Sequence, residues 1–486
     1  MPFRNARNSL RLLAPTIVSL ALQFGTCALA QSAPLSWDHP WHSSDEQQFV
    51  RDMIAEHIQE VPHDSVKAYS LPDLIDLAEL NNPETRVAWE RARVQAAGLG
   101  VARSELYPTL AAAALSQTSR EENFFGNRFN AQTVQDFEIA LDLSYTVFDF
   151  GGRRGRINSA RAQLLAANFA FNDTHRIVIY RVEQSYYRLL SAIGQEDAAR
   201  ASLSNAQAVQ EAAEDRLAHG LTTLPDVLEA RSATAQAEFD LQSVLGAEEI
   251  ARGDLATAVG DRASLTINVQ PLDQLPIPDS ISDTVQGAID RALSQRPDLM
   301  QQVAEIRSAN ARVQEARSAY YPALSLNAGP SGQSVYGIQS PFDWSHTASL
   351  VGGLSFALKW TVFDGGARKN RVLEARANVQ QAKAQAGVKR NQIADEVWTA
   401  YSNLNTALRQ RQAAVALLEA AKQSYDAALQ SYNYGVRNLL DVTAAQRTLA
   451  QARAADVYAR TQVLSSFADV AFRTGDSIQS TKRSQP

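Results

Sequence analysis

The feature that most constrains this fold is an internal duplication. Asn82-Pro83-Glu84 recurs as Arg296-Pro297-Asp298 at an offset of 214, and Thr146-Val147-Phe148-Asp149 recurs as Thr361-Val362-Phe363-Asp364 at an offset of 215. Directly after this second motif, Gly151-Gly152 matches Gly365-Gly366 at an offset of 214 instead of 215. We interpret this local difference as one extra residue, Phe150, in the first repeat. Similarity at a nearly constant spacing indicates tandem copies of one unit. The sequence therefore predicts two repeats, residues 71–260 and 283–475, joined by a proline-containing linker at 261–282.

Long proline-free segments dominate each repeat. No proline lies between Pro108 and Pro225 or between Pro341 and Pro486. The segments 153–219 and 367–434 are rich in Ala, Gln, Glu and Arg, which favour helix, and each would span about 100 Å. Their apolar stripes indicate helices packed in a coiled coil or bundle. Each repeat is predicted to contain one helix, two strands and two helices.

The strand segments alternate strictly between apolar and polar residues. Apolar side chains occupy every second position from Phe137 to Val147 and from Leu354 to Val362. This period is typical of a strand in a membrane barrel, with lipid outside and water inside, and equally of a half-buried strand in a soluble sandwich. The partner strands are predicted at 108–119 and 322–332, and the polar connections 120–135 and 333–345 are predicted to be outward-facing loops.

The number of strands bears on how such a sheet could cross a membrane. Two repeats supply four strands, but a sheet in lipid must close on itself, and bacterial barrels begin at about eight strands. Three chains would supply twelve strands. A trimer is thus the simplest closed arrangement, and a dimer or tetramer also satisfies the strand count.

The N-terminus has the pattern of a secretory signal peptide at residues 1–30. Arg4, Arg7 and Arg11 precede an apolar stretch from Leu12 to Leu22, and small residues end at Ala30. Acylation of Cys27 is an alternative fate for this end. Beyond it, no run of 18 or more apolar residues occurs. Residues 31–70 are predicted to be a periplasmic segment and 476–486 a disordered tail.

Taken together, these motifs resemble the TolC-type outer membrane efflux protein family. The matching features are the duplication, the Tyr-Pro-x-Leu strand starts, the strand-to-helix joints at 147–152 and 362–366, and the Gly-x-x-x-Leu-x-Asp-Val turns at 220–227 and 435–442. The resemblance implies a mainly α protein with transmembrane β: a long α-helical coiled-coil barrel and a trimeric, 12-stranded outer membrane β-barrel with four strands from each protomer. It also implies an outer membrane exit duct that extends into the periplasm of a Gram-negative bacterium.

The implied partners are two further copies of the chain, outer membrane lipid, a periplasmic adaptor protein and an inner-membrane pump of RND, ABC or MFS type. The turns between the long helices are the implied periplasmic gate and docking surface. Capping chemistry, with Gly ending one helix and an acid beginning the next, is the alternative interpretation of these turns.

The resemblance assigns two groups of site residues at the turns, a gate (Asp441, Tyr432, Arg437, Asp226 and Glu229) and adaptor-docking tips (Gly220, Leu221, Thr222, Leu224, Gly435, Val436, Asn438 and Leu439). The strand alternation would place Glu138, Asp142, Ser355 and Lys359 in a barrel lumen if Tyr145 and Trp360 face lipid. In a buried sandwich the aromatic residues would instead lie in a core and these charges in solvent. Asp441 would form a ring of three carboxylates in the pore, and Tyr432 and Arg437 would hold the tips together.

This chain departs from the family pattern at Ala444, where many relatives carry a second acid. In the first turn Glu229 does follow Asp226 by three residues, and the sequence leaves open whether Glu229 faces the pore or the solvent. The acid ring is therefore predicted to be single.

No motif predicts a cofactor or a catalytic site. His39, His42, His57 and His63 cluster near the N-terminus, where a polar tail is the simpler interpretation than a metal site. The net charge of −6 argues against nucleic-acid binding. A soluble periplasmic coiled-coil adaptor is the rival function; it would leave the amphipathic strands without a use.

Overall fold

The computed structural model describes residues 67–125, 128–263, 267–278, 280, 284–339 and 344–476. All of them belong to the larger of two compact units, residues 63–486. The predicted signal peptide, Cys27, the four N-terminal histidines and nearly all of the predicted C-terminal tail lie outside the described residues.

The described elements follow one order twice. The first repeat contains α1 (Leu71–Asn81), α2 (Pro83–Ser104), β1 (Thr109–Phe125), β2 (Arg128–Phe148), α3 (Gly152–Ala218) and α4 (Leu224–Val259). The second contains α5 (Val285–Gln295), α6 (Pro297–Ser318), β3 (Ala323–Gln339), β4 (Ser345–Lys359), α7 (Ala367–Asn433) and α8 (Leu439–Thr474). The two predicted long helices are confirmed to within one residue at each end.

The prediction of a single helix before the strands is wrong, because each repeat has two. The break falls at Asn82 in the first repeat and at Arg296 in the second, and both residues have φ −67° and ψ 124°. Each precedes a proline, whose ring disfavours helical geometry in the preceding residue. Proline then begins the next helix, where its missing N–H costs nothing.

One antiparallel sheet contains all four strands in the order β1-β2-β3-β4. The predicted loops at 120–135 and 333–345 are largely strand instead, since Arg120 pairs with Thr133 and the β1–β2 ladder continues to Phe125 and Arg128. Ladder hydrogen bonds join backbone groups, so a polar stretch can extend a strand beyond its apolar part. β2 and β3 connect the two repeats within the sheet.

The joint between strand and helix corrects the interpretation of Phe150 as an insertion. Phe150 has φ +52° and Gly151 has φ +94°, matching Gly365 at +64° and Gly366 at +86°. The offset between the repeats therefore stays constant through the joint. Phe150 occupies the left-handed position that the second repeat gives to glycine, and its ring stacks on Tyr321 at a centroid distance of 4.8 Å.

Helix α3 lies at the centre of the helical part, where it packs against α2, α4, α6 and α8. Helix α6 packs against both α3 and α7, while α7 and α8 form the second long hairpin. No helix among the described residues combines the length and apolar composition that a membrane-spanning helix needs.

Candidate functional site

The two helical hairpins end in turns of nearly identical backbone geometry. In the first, Leu221 N donates to Arg216 O at 2.8 Å and Gly220 N donates to Leu217 O at 3.0 Å. The second turn repeats both bonds, from Val436 N to Ser431 O and from Gly435 N to Tyr432 O. This is the helix-ending pattern in which glycine takes a left-handed conformation, here φ +69° and +75°.

The first turn uses its acid to begin helix α4. The Asp226 carboxylate accepts hydrogen bonds from Thr223 N at 3.0 Å, from Thr223 Oγ1 at 2.6 Å and from Thr222 Oγ1 at 2.9 Å. The bonds from Thr223, followed by that from Thr222, hold the pKa of Asp226 below its usual range. All three bonds end on Oδ2, so this oxygen of Asp226 caps the start of helix α4.

The second turn assigns the same task to a different residue. Asn438 Oδ1 accepts from Asp441 N at 3.0 Å, so Asn438 caps helix α8. Asp441 stands at the position equivalent to Asp226, yet its carboxylate has no hydrogen bond or ion pair within the described part of the chain. The alternative of a purely capping Asp441 is thus weakened, because the cap is already made by an amide.

Tyr432 is buried at the end of helix α7, and its hydroxyl has no partner among the described residues. Arg216 from the first hairpin lies 4.3 Å above its ring and donates to the carbonyl oxygens of Tyr432 and Asn433, each at 3.0 Å. A guanidinium at a helix C-terminus satisfies carbonyls that have no helical partner. Arg437 is exposed and makes no ion pair within the described ranges.

Sequence reasoning missed Arg216, which ties the first hairpin to the second. A basic residue in the last turn of α3 was the available signal, but it is also ordinary for a helix C-terminus. Glu229 supplies a second tie, since Arg447 Nη2 of α8 lies 3.3 Å from its Oε1. Glu229 therefore points toward the second hairpin of its own chain.

The predicted docking residues divide into an exposed set and a buried one. Leu221, Leu224 and Val436 are exposed apolar side chains at the turns, at 73%, 58% and 79% of full exposure. Gly220, Gly435 and Asn438 are also exposed, and Thr222 is half-buried. Leu439 is the exception at 2% exposure. As the first residue of α8 it packs into the tip core with Val227 and Val442, so it is unavailable on this surface.

The predicted lumen residues share one face of the sheet. The strand register places Glu138, Asp142 and Lys359 on that face together with Ser331 and Gln333. Ser331 Oγ donates to Glu138 Oε1 at 2.8 Å, and Gln333 Nε2 donates to Asp136 Oδ2 at 3.0 Å. The opposite face carries exposed apolar side chains: Phe137, Ile139, Leu141, Leu350, Leu354, Phe356 and Leu358.

The sequence of this chain is similar to those of known outer membrane efflux proteins. A family model described as "Outer membrane efflux protein" matches residues 74–261 and 288–476. Protein CyaE of Bordetella pertussis is 27% identical over 392 residues, which cover 81% of this chain and 81% of that protein. Outer membrane protein TolC of Salmonella enteritidis is 25% identical over 406 residues, covering 80% and 78%.

Solved structures show the same fold. The outer-membrane channel OprN superimposes with a TM-score of 0.73 at 21% identity, covering 86% of this chain and 94% of that one. The CmeC outer membrane channel of Campylobacter jejuni gives a TM-score of 0.66 at 21% identity, covering 92% and 93%.

Proposed function

This chain belongs to the outer membrane efflux protein family, and from that premise we propose that it is the passive exit duct of a multicomponent efflux or secretion system, gated at its hairpin tips. It is an outer membrane efflux channel of a Gram-negative bacterium with a periplasmic helical part. Members of this family are channels rather than enzymes. The proposal concerns its assembly, its gate and its partners.

The observation that carries the proposal is the two-faced sheet. One face is apolar and exposed, the other carries carboxylates and amides, and strands β1 and β4 each pair on one side only among the described residues. In lipid such edges must be paired. Three chains would close a barrel of twelve strands, with the apolar face toward lipid and Glu138, Asp142 and Lys359 toward a wet lumen.

The helices then continue the duct. A helix of 67 residues, the length of α3 and of α7, is about 100 Å long, which is the scale of a periplasmic passage. At its far end three copies of Asp441 would surround the pore. A ring of carboxylates in a constriction favours cations and is blocked by multivalent ones.

Docking to a periplasmic adaptor and an inner-membrane pump would use the exposed apolar turn residues Leu221, Leu224 and Val436. A duct of this kind takes its substrate from the pump. The relatives illustrate that range, since one is named a pyoverdine export outer membrane protein and another a cation efflux system protein. Deletion of the gene, followed by profiling against drugs and metals and by secretome comparison, would identify the substrate class.

The gate is tested with two matched substitutions in planar-bilayer recordings. Asp441→Asn removes the proposed ring, so we expect a changed single-channel conductance and weaker block by multivalent cations. Asp226→Asn stands at the equivalent position of the first turn, where the carboxylate is committed to capping. It should leave the block unchanged while destabilising the tip by about 1 kcal/mol.

Unaltered conductance and block in Asp441→Asn would overturn the gate assignment.

The rival function, a soluble adaptor, is tested by membrane fractionation. The duct requires detergent for extraction, whereas release of monomers by carbonate would favour the adaptor.

A further inference from the structure

Cationic side chains gather where the helices adjoin the sheet. Four helix ends are connected to a strand, and five cations lie within five residues of these ends: Arg103 of α2, Arg154 of α3, Arg317 of α6, and Lys369 and Arg371 of α7. At 1.5 Å per residue, each lies within about 6 Å of the helix end, measured along the axis. We call these five residues the collar.

The collar carries charge that its surroundings do not balance. All five side chains are exposed, and none of them forms an ion pair within the residues that the structure describes. The acids at the same level lie beside other arginines: Glu105, Asp149 and Glu315 beside Arg156, and Asp364 beside Arg368. The five residues of each helix next to the sheet, together with the connecting loops, contain eight cations and four acids. One chain thus has a surplus of positive charge at this level, although its overall charge is −6.

Helix capping accounts for only part of the collar. The negative end of the helix dipole favours Arg103 and Arg317, which lie at the C-terminal ends of α2 and α6. The positive end disfavours cations, yet the first turns of α3 and α7 contain Arg154 and Lys369 and no acid. These two residues are equivalent in the two repeats. Both repeats therefore keep cations at this level for a reason that lies outside the helices.

An aromatic band lies between the collar and the apolar face of the sheet. Phe148 and Trp360 are more than half exposed where β2 and β4 end. The guanidinium of Arg153 reaches into this band, with its carbon 5.6 Å from the centre of the Tyr145 ring. The order along the molecule is thus apolar strands, aromatic side chains and then cations. In membrane proteins aromatic residues concentrate at the boundary of the hydrocarbon, and the headgroup layer beyond it is about 5–7 Å thick.

We propose that the collar binds the headgroups of anionic phospholipids in the periplasmic leaflet of the outer membrane. Clusters of Lys and Arg beside a membrane attract anionic lipid, and a guanidinium can bind two phosphate oxygens at once. The collar lies on the helical side of the sheet, which is the periplasmic side of the proposed channel. Three chains would place three copies of it around the duct. This inference rests on the proposed function and names the lipid class that the membrane part selects.

Electron spin resonance measures this selectivity. The purified full chain is reconstituted in vesicles of phosphatidylcholine that contain a trace of spin-labelled phosphatidylglycerol or of spin-labelled phosphatidylcholine. The immobilised fraction of each label reports the lipid in contact with the protein. We expect phosphatidylglycerol to be favoured about threefold at low salt. The preference should disappear as the salt rises from 0.01 M to 1 M, because the Debye length falls from about 30 Å to about 3 Å.

The collar variant replaces all five cations by glutamine: Arg103→Gln, Arg154→Gln, Arg317→Gln, Lys369→Gln and Arg371→Gln. It should bind the two labels equally. Replacing the four arginines by lysine keeps the charge, and this variant should retain the preference. The salt series on the unaltered protein decides the question even where the glutamine variant does not fold.

The matched control removes the same number of charges farther from the sheet. It replaces exposed cations that form no ion pair within the described ranges and lie about 20 Å or more from the helix ends at the sheet: Arg86→Gln, Arg91→Gln, Arg390→Gln, Arg409→Gln and Lys422→Gln. Its net charge equals that of the collar variant. Because these positions lie beyond the headgroup layer, the control should keep the preference for phosphatidylglycerol.

The outcomes separate the collar from the channel. Equal binding of the two labels by the unaltered protein, in vesicles through which it conducts, would overturn the collar and leave the proposed function standing. A collar variant that keeps the lipid preference but changes ion selectivity would also overturn it, since its cations would then line the lumen. A protein that neither enters vesicles nor conducts would contradict the proposed function, and this inference with it.

Discussion

The two repeats are built from the same backbone but are completed by different chemistry. Their helices match in length, with 22, 67 and 36 residues in α2 and α6, α3 and α7, and α4 and α8. The turns, the joints and the breaks coincide as well. The differences lie in which residue occupies each shared position. The first repeat uses threonine and aspartate at the turn, asparagine at the break and phenylalanine at the joint. The second repeat uses asparagine, arginine and glycine at these three places. Each repeat therefore serves as a control for the other.

The breaks between the short helices are stabilised by different chemistry in the two repeats: amide hydrogen bonds at Asn82 and an ionic cluster at Arg296. Asn82 uses its amide, with Oδ1 accepting from Glu84 N and Nδ2 donating to Ala258 O. Arg296 is buried in an ionic cluster, 2.7 Å from both Asp298 Oδ2 and Glu396 Oε2. Burial disfavours ionised Asp298, but the bonds from Arg296 and Lys389 outweigh it and hold its pKa well below the usual range.

The largest predicted effect is therefore that of Arg296→Ala, which removes the cation shared by buried Asp298 and half-buried Glu396. Asp298 keeps Lys389 at 2.9 Å and Arg176 at 3.9 Å, and Glu396 keeps Arg473 at 3.1 Å. We expect a loss of about 3 kcal/mol in the free energy of unfolding, compared with about 1 kcal/mol for Asn82→Ala. Urea or thermal unfolding of the detergent-purified protein measures both. Equal losses in the two variants would contradict this account of the breaks.

The second comparison sets Glu183 on α3 against Trp398, its equivalent on α7. Burial raises the pKa of Glu183 to about 7, and its Oε2 has no partner among the described residues. The unfolded pKa is about 4.3. Between these two values the folded state holds a proton on Glu183 that the unfolded chain has released. The contribution of protonated Glu183 to the free energy of unfolding is therefore fully present below pH ~4.3, declines as the pH rises and is lost above about pH 7.

Glu183→Gln keeps the neutral form at every pH. Relative to the original protein it should gain about 2 kcal/mol more stability at pH 8 than at pH 5. Thermal unfolding at the two pH values measures the difference. Glu211→Gln, at an exposed position of the same helix, is the control and should show no such trend. A gain independent of pH would mean that the Glu183 side chain acts through packing.

The smallest effect is expected at the joints. Phe150 has a left-handed φ, which costs a residue other than glycine about 1–2 kcal/mol, but its stacking on Tyr321 and its edge contact with Phe148 return about 0.5–1.5 kcal/mol each. Phe150→Gly removes the cost and the gain together, so stability should change by less than about 1 kcal/mol. Phe150→Ala keeps the strain without the stacking and should be the less stable of the two. The reverse order in thermal unfolding would refute this balance.

Several elements followed from the sequence because local signals agreed. Long proline-free segments rich in good helix formers gave α3 and α7, and strict alternation gave the apolar parts of β2 and β4. The break that divides the helix before the strands into two was not predicted, although Pro83 and Pro297 are local signals for it. The strand ends were also missed, because a ladder depends on the opposite strand and tolerates polar side chains.

The candidate site was only partly predictable. The turn motifs located both tips, and the equivalence of Asp226 and Asp441 was visible. Their different hydrogen bonds were not, because Thr223 and Asn438 are both ordinary helix caps. The contact of Arg216 with the backbone of Tyr432 joins positions in different repeats that are distant along the chain, and no local pattern encodes such a pair.

The sequence by itself determined the duplication, the lengths of the long helices, the strands with one apolar and one polar face, and the family resemblance. These features depend on hydrophobic periodicity and on local backbone preferences, which can be read without knowing what packs against each element. Only the tertiary structure decided which equivalent positions of the two repeats differ in burial and in hydrogen bonding. Among the described residues Asp441 is left unpaired while Asp226 is bonded, Leu439 is buried while Leu224 is exposed, and Val94 of α2 is exposed while its equivalent on α6, Ser308, is buried. Burial and pairing depend on which surfaces meet in space, and two copies of one pattern can meet different neighbours.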